Sequence, residues 1–223
     1  MTTAWRRVVL PLRPRVITPG VVVIVSVYVL VANWPDAFVY VGERNVSPRI
    51  VSPFELGSMA VGITLAVGLA PRFPDWDRYG ARKTRLLALV NAVVVVVVPQ
   101  AVLFSSLLLF YPSEGTPPAH ALFPLAGNVA VASLLAVIAT GMVGNLLGPL
   151  LWGAVLYGVM SWQSYAPPGL RWSPLSMSHT ASGQLDTTPR WAWIVLGVIG
   201  ALAVVWTRRS VPYRITLRAP EER

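Results

Sequence analysis

The feature that most constrains this chain is the length of its uninterrupted apolar runs. Six consecutive valines, Val93 to Val98, lie inside a stretch from Leu86 to Tyr111 that contains no charged residue. A run of about 18 or more apolar residues is the signature of a helix that crosses a bilayer. Strands of a membrane barrel instead alternate apolar and polar residues over about 10 positions. Hydrocarbon offers backbone groups no partner, so an unbroken run must satisfy its own N–H and C=O groups as a helix. The fold class expected is therefore all-α: a polytopic membrane protein. Composition agrees. Only 12% of the 223 residues are charged and the mean hydropathy is +0.61, whereas a soluble domain carries about 25% charged residues.

Six such segments are read as spans: 16–34, 54–70, 86–111, 121–143, 146–162 and 191–207. They form a single transmembrane domain over residues 1–223. The first segment is too long, and too poor in a small-residue cleavage site, for a signal peptide. Lys and Arg concentrate on the cytoplasmic side of membrane proteins. With six spans, one side holds fourteen of them, on the N-terminal segment, the 2–3 loop and the C-terminal tail. The other side holds only Arg44, Arg49, Arg171 and Arg190. Both termini are accordingly expected in the cytoplasm of a cell membrane. Trp34, Tyr111, Trp162, Trp191 and Trp193 fall at the expected outer ends, where aromatic belts form. Trp152 lies inside span 5 as a packing residue. The net charge of +9 is read as bilayer-flanking, so no nucleic-acid partner is expected. The bias toward Arg, with Lys83 the single lysine, suggests a GC-rich bacterial genome.

Within the spans, small residues allow backbones to approach. Span 2 offers Ser58, Gly62, Ala66 and Ala70 on one face. Gly144 and Gly148 flank the 4–5 junction, where they read as a tight turn before Pro149 or as a close helix contact. Pro99 reads as a packed kink or as a hinge. No Asp, Glu, Lys or Arg lies in the middle of a span, and Glu55 is read at the outer edge of span 2. The polar residues at depth are Asn91, Gln100, Asn128 and Ser133, which line a pathway or hold helices together. Proton-coupled carriers need ionisable groups at depth, so an ion-driven transporter is not expected.

Catalytic chemistry is also undersupplied. The chain has no cysteine, which removes disulfides, thiolate metal sites and cysteine nucleophiles. His120 and His179 are placed in external loops without metal-ligand spacing, and neither a nucleophile elbow nor a Walker A loop occurs. No enzyme activity, metal or cofactor is expected.

Two loops and one terminal segment stand out. The 2–3 loop carries Asp75, Trp76, Asp77, Arg78, Tyr79, Arg82, Lys83 and Arg85. It reads as a basic segment at anionic headgroups, or as an interfacial helix that docks a partner through Trp76 and Tyr79. The 5–6 loop, residues 163–190, faces outward. Its Leu170, Trp172, Leu175 and Met177 suggest that it folds back on the membrane surface. Residues 1–15, with Trp5 and four Arg, form a basic segment in the inner headgroup plane.

This layout resembles the membrane subunits of type-2 ABC exporters. The likeness rests on the basic segment before span 1, the six helices with both ends inside, the charged loop from Asp75 to Arg85 before span 3, and the longer external excursion between spans 5 and 6. The resemblance implies a permease subunit relying on a separate cytoplasmic ATPase. It makes Asp75 to Arg85 the coupling segment and pairs two membrane subunits, as a homo- or hetero-dimer. The competing reading is a non-transporting scaffold, assembly or immunity protein of the membrane.

Overall fold

In a computed structural model, the residues described are 17–35, 39–41, 49–67, 82–110, 119–144, 147–165, 173–176 and 190–207. They form six helices: α1 (Ile17–Asn33), α2 (Pro53–Val67), α3 (Arg82–Phe110), α4 (Ala119–Val143), α5 (Leu147–Tyr165) and α6 (Trp191–Thr207). A short antiparallel ribbon joins α1 to α2, with β1 (Val39–Val41) against β2 (Arg49–Val51) and Tyr40 opposite Ile50. The expected all-helical class therefore holds for the bundle, and the ribbon is its one departure among the described residues. The six helices stand where the six apolar segments were read. Helix α3 begins earlier than span 3, so Arg82, Lys83 and Arg85 belong to its first turn.

Helix α4 is the hub. It packs against α2, α3, α5 and α6, while α1 rests on α2 and α3 from outside. Pairings along the helices show how they run. Gly20 near the start of α1 meets Leu65 near the end of α2, so these two are antiparallel. Gly127 meets Ile194, Gly197 and Gly200 receive Leu134 and Ile138, and Gly141 meets Val204, so α4 and α6 are parallel. The buried core follows α4, through Val129, Ala132, Ala136 and Val137, and draws Val61, Leu103, Trp152 and Leu156 onto it.

The α4–α5 connection resolves the two readings of its glycines: both apply. Gly144 takes a φ of 99°, which an L side chain rarely adopts. Its N–H closes on the Thr140 carbonyl at 2.9 Å, ending α4. Gly148 then lies against the backbone of α4, where an added Cβ would stand 2.6 Å from Thr140 Cα. Pro99 is buried inside a helix that continues to Phe110. It packs against Gly62 of α2. Proline has no N–H for the carbonyl four residues back.

Two helices contain segments long and apolar enough to cross a membrane, Ala88–Phe110 and Leu122–Val143; the apolar stretches Pro19–Asn33, Pro53–Val67 and Trp191–Trp206 are shorter. The exposed surface is itself apolar. On α6, Val195, Leu196, Ile199 and Leu202 are all exposed, and Trp191 and Trp206 are exposed at its two ends. Contiguous apolar surface of this kind is unusual on a monomer in water and is the normal exterior of a helix in lipid. The chain is thus an all-helical bundle associated with a membrane.

Candidate functional site

The site is built from the start of α2. Ser52-Pro53-Phe54-Glu55 is a helix-start signature, with serine as cap, proline in the first helical position and an acidic residue two further on. The Glu55 N–H donates to Ser52 Oγ at 3.1 Å. A carboxylate in the first turn is also favoured by the helix dipole. Its surroundings are unexpected: Glu55 is 0% exposed. A buried charge is costly unless hydrogen-bonded, and Glu55 Oε1 accepts from Asn128 Nδ2 at 2.8 Å.

Asn128 comes from α4, nine residues after its first. At 1.5 Å per residue that is about 14 Å along the axis. Helix α2 therefore starts well below the end of α4, which is why an acidic residue at the very beginning of its own helix is enclosed. The edge position assigned to Glu55 holds along the helix, and packing against α4 encloses it there.

Asn128 makes two more bonds, both to one residue. Its Nδ2 also donates to the Ser176 carbonyl at 3.1 Å, and its Oδ1 accepts from the Ser176 N–H at 2.7 Å. The side-chain amide thus grips a backbone residue on both its donor and its acceptor. Near the end of α5, Gln163 repeats the device. Its Nε2 donates to the Leu175 carbonyl at 2.6 Å and to Ser173 Oγ. The Leu175 N–H approaches the same hydroxyl at 3.4 Å. Leu175 is 1% exposed, and Ser173 and Ser176 are buried beside it. So the described part of the α5–α6 connection is buried against α4 and α5 with Leu175 inside it, and Leu170, Trp172 and Met177 lie outside the described residues.

The other expected polar positions are used one by one. Gln100 Nε2 donates across from α3 to the Ala126 carbonyl of α4 at 2.9 Å. Ser133 is buried against Gly62, and its Oγ has no hydrogen-bond partner among the described residues; Thr140 Oγ1 is in the same state. Asn91 is half-buried on α3, nine residues before Gln100. These groups do not converge on one point, and only Asn128 joins the polar node. Trp152 is a packing residue as expected, its indole N–H donating to the Ala132 carbonyl. Asp75, Trp76, Asp77, Arg78 and Tyr79 lie outside the described residues, as do residues 1–15 and His179.

Gln163, Ser173 and Ser176 were not singled out from sequence, and Glu55 was noted only as a charge at the edge of a span. The Ser-Pro-x-Glu signature could have fixed the start of α2, and Gln163 is an amide closing an apolar helix. Neither signal reveals that Asn128, the partner of Glu55, and Gln163 hold the neighbouring residues Ser176 and Leu175. Among the described residues no group of three or more His, Cys, Asp or Glu could hold a metal ion. Chemically, the node offers one carboxylate and two primary amides arranged to hold a peptide backbone.

No family model matches the chain, no curated protein matches it, and no solved structure matches it.

Proposed function

We propose that the chain is a six-span membrane subunit, with both termini cytoplasmic, serving as the permease of an exporter driven by a separate ATPase. The observation that carries this reading is how the buried polar groups are used. In an apolar bundle, Glu55, Asn128 and Gln163 hold the α5–α6 excursion into one end, the end made external by the distribution of Lys and Arg. The type-2 exporter layout has an excursion at this position. The short helices fit a crossing too, since their exposed faces are apolar and their ends carry Trp34, Trp162, Trp191 and Trp206.

A chain with no nucleotide loop must take its driving force from a partner. Asp75 to Arg85, running from the α2–α3 connection into the first turn of α3 on the strongly basic side, is the segment to receive it. Helix α4 is enclosed by α2, α3, α5 and α6, with Gly148 backbone against Thr140 backbone. This close packing supports a substrate path along the boundary of two membrane subunits, and the working unit proposed is a homo- or hetero-dimer.

The test is co-purification of the detergent-solubilised chain from its native membrane. The expected result is stoichiometric recovery of a nucleotide-binding subunit, lost when Trp76 and Tyr79 are both replaced by Ala. Recovery of other membrane proteins alone, unchanged by that replacement, would replace the exporter with the scaffold, assembly or immunity reading.

A further inference from the structure

We infer that Ser173–Ser176 is a strap that closes one end of the bundle, and that Asn128 is its clasp. Between Tyr165 and Arg190 these four are the described residues, and Ser173, Leu175 and Ser176 are buried. No helix or strand of their own holds them. Their anchorage comes from side chains of two different helices. Asn128 of α4 takes both backbone groups of Ser176, at 2.7 and 3.1 Å. Gln163 of α5 takes the Leu175 carbonyl at 2.6 Å.

The clasp is directional. An amide can be turned over, and turned over it would set its oxygen against the Ser176 carbonyl and its NH2 against the Ser176 N–H. Ser176 itself opposes that arrangement, and Glu55 Oε1, which takes the NH2 group at 2.8 Å, adds to the preference. Glu55 is thus a positioning residue for Asn128. Leu175, 1% exposed, supplies the apolar plug.

Segments held by a few side chains through backbone bonds open locally at a free energy below that of global unfolding. Release of the strap uncovers the Glu55–Asn128 pair and the Gln163 amide together, and leaves their bonds to be made by whatever enters. The strap thus controls access to the polar node. This inference stands on the geometry of the strap alone and does not depend on the exporter reading.

The chain has no cysteine, so a single introduced thiol reports without background. The probe is a polar maleimide acting on the full chain in detergent micelles. Ser176→Cys is expected to react slowly in the otherwise native chain. Adding Asn128→Ala should raise that rate about eightfold, and adding Gln163→Ala should raise it by a similar factor, as expected for loss of two buried hydrogen bonds to the strap in each case. A thiol at Val137, 1% exposed in the middle of α4, should stay unreactive in both backgrounds and separates strap release from general loosening. If Asn128→Ala also exposes Val137→Cys, Gln163→Ala decides, since it leaves the Glu55–Asn128 pair in place. Equal Ser176→Cys rates with and without the clasp substitutions, while Val137→Cys stays protected, would overturn the inference. So would fast labelling of Ser176→Cys in the native background.

Discussion

The two sides of α4 are held in different ways. Toward α6 the contact is one of shape: Leu134 and Ile138 sit on Gly197 and Gly200, and Gly127 and Gly141 receive Ile194 and Val204. Toward α2 and α5 there is shape as well, with Gly62 on Ser133 and Gly148 on Thr140, but hydrogen bonds are added. Asn128 reaches Glu55 on that side and Trp152 reaches the Ala132 carbonyl. Where helices meet in lipid, hydrophobicity does not drive the contact, and close packing and interhelical hydrogen bonds supply the attraction. The comparison teaches that the polar groups mark where the bundle does more than cohere. The α6 seam is sufficient to attach a helix, and the α2–α5 side also positions a loop.

The largest effect expected is at the α4–α5 turn. Gly148→Val places carbon within 3 Å of the Thr140 backbone, which cannot give way as a side chain can. It should destabilise by about 3 kcal/mol or more, read as lost heat resistance in micelles. Tolerance of this change would mean that hydrogen bonds, and not shape, hold the polar side.

On the seam toward α6, Gly141→Ala sets a methyl 2.2 Å from Val204 Cγ1. A loss of about 2 kcal/mol is expected. Val204→Ala in the same chain should return most of it, because the two changes occupy one space. Failure of that rescue, measured as a double-mutant cycle, would remove the claim that shape alone decides this contact.

Asn128→Ala deletes three buried hydrogen bonds. Interhelical bonds in membranes average about 0.6 kcal/mol each, so a loss of about 2 kcal/mol or slightly less is expected. Asn128→Asp should be no milder, since it replaces the donor to Glu55 with a second carboxylate oxygen. An Asp variant as stable as the native chain would sharpen the comparison by showing that this contact does not need the amide donor.

The smallest effect is expected at Ser133, whose buried hydroxyl has no partner among the described residues. Ser133→Ala removes a group that gains nothing from burial. Thermal unfolding should move by less than about 1 kcal/mol, toward greater stability. A loss exceeding that would show that Ser133 belongs to the polar side by a bond and not only by contact.

The existence and position of the helices were legible because long apolar runs are a local property. Span 6 and α6 share the bounds 191 and 207, and α1 differs from span 1 by one residue at each end. The helix-start signature at Ser52 is local in the same way, although the span was read from 54. The polar node was not. Asn128 could be recognised as a polar residue at depth, but Glu55 is 73 positions away in sequence and Ser176 is 48. Nothing local predicts that α2 begins about 14 Å down the axis of α4, by the helical rise. Leu175 shows the same limit. Its apolar character predicted an escape from water, which lipid and protein interior satisfy equally, so the destination had to come from packing.

What the sequence determined by itself is that these segments leave water: runs without charge favour lipid or protein interior over a wet surface, and their backbone must close on itself as helix. What the tertiary structure alone decided is which polar groups meet. That depends on the relative depth of the helices, fixed by the Gly144 turn and by close contacts, a quantity set by shape over the whole bundle and carried by no single segment.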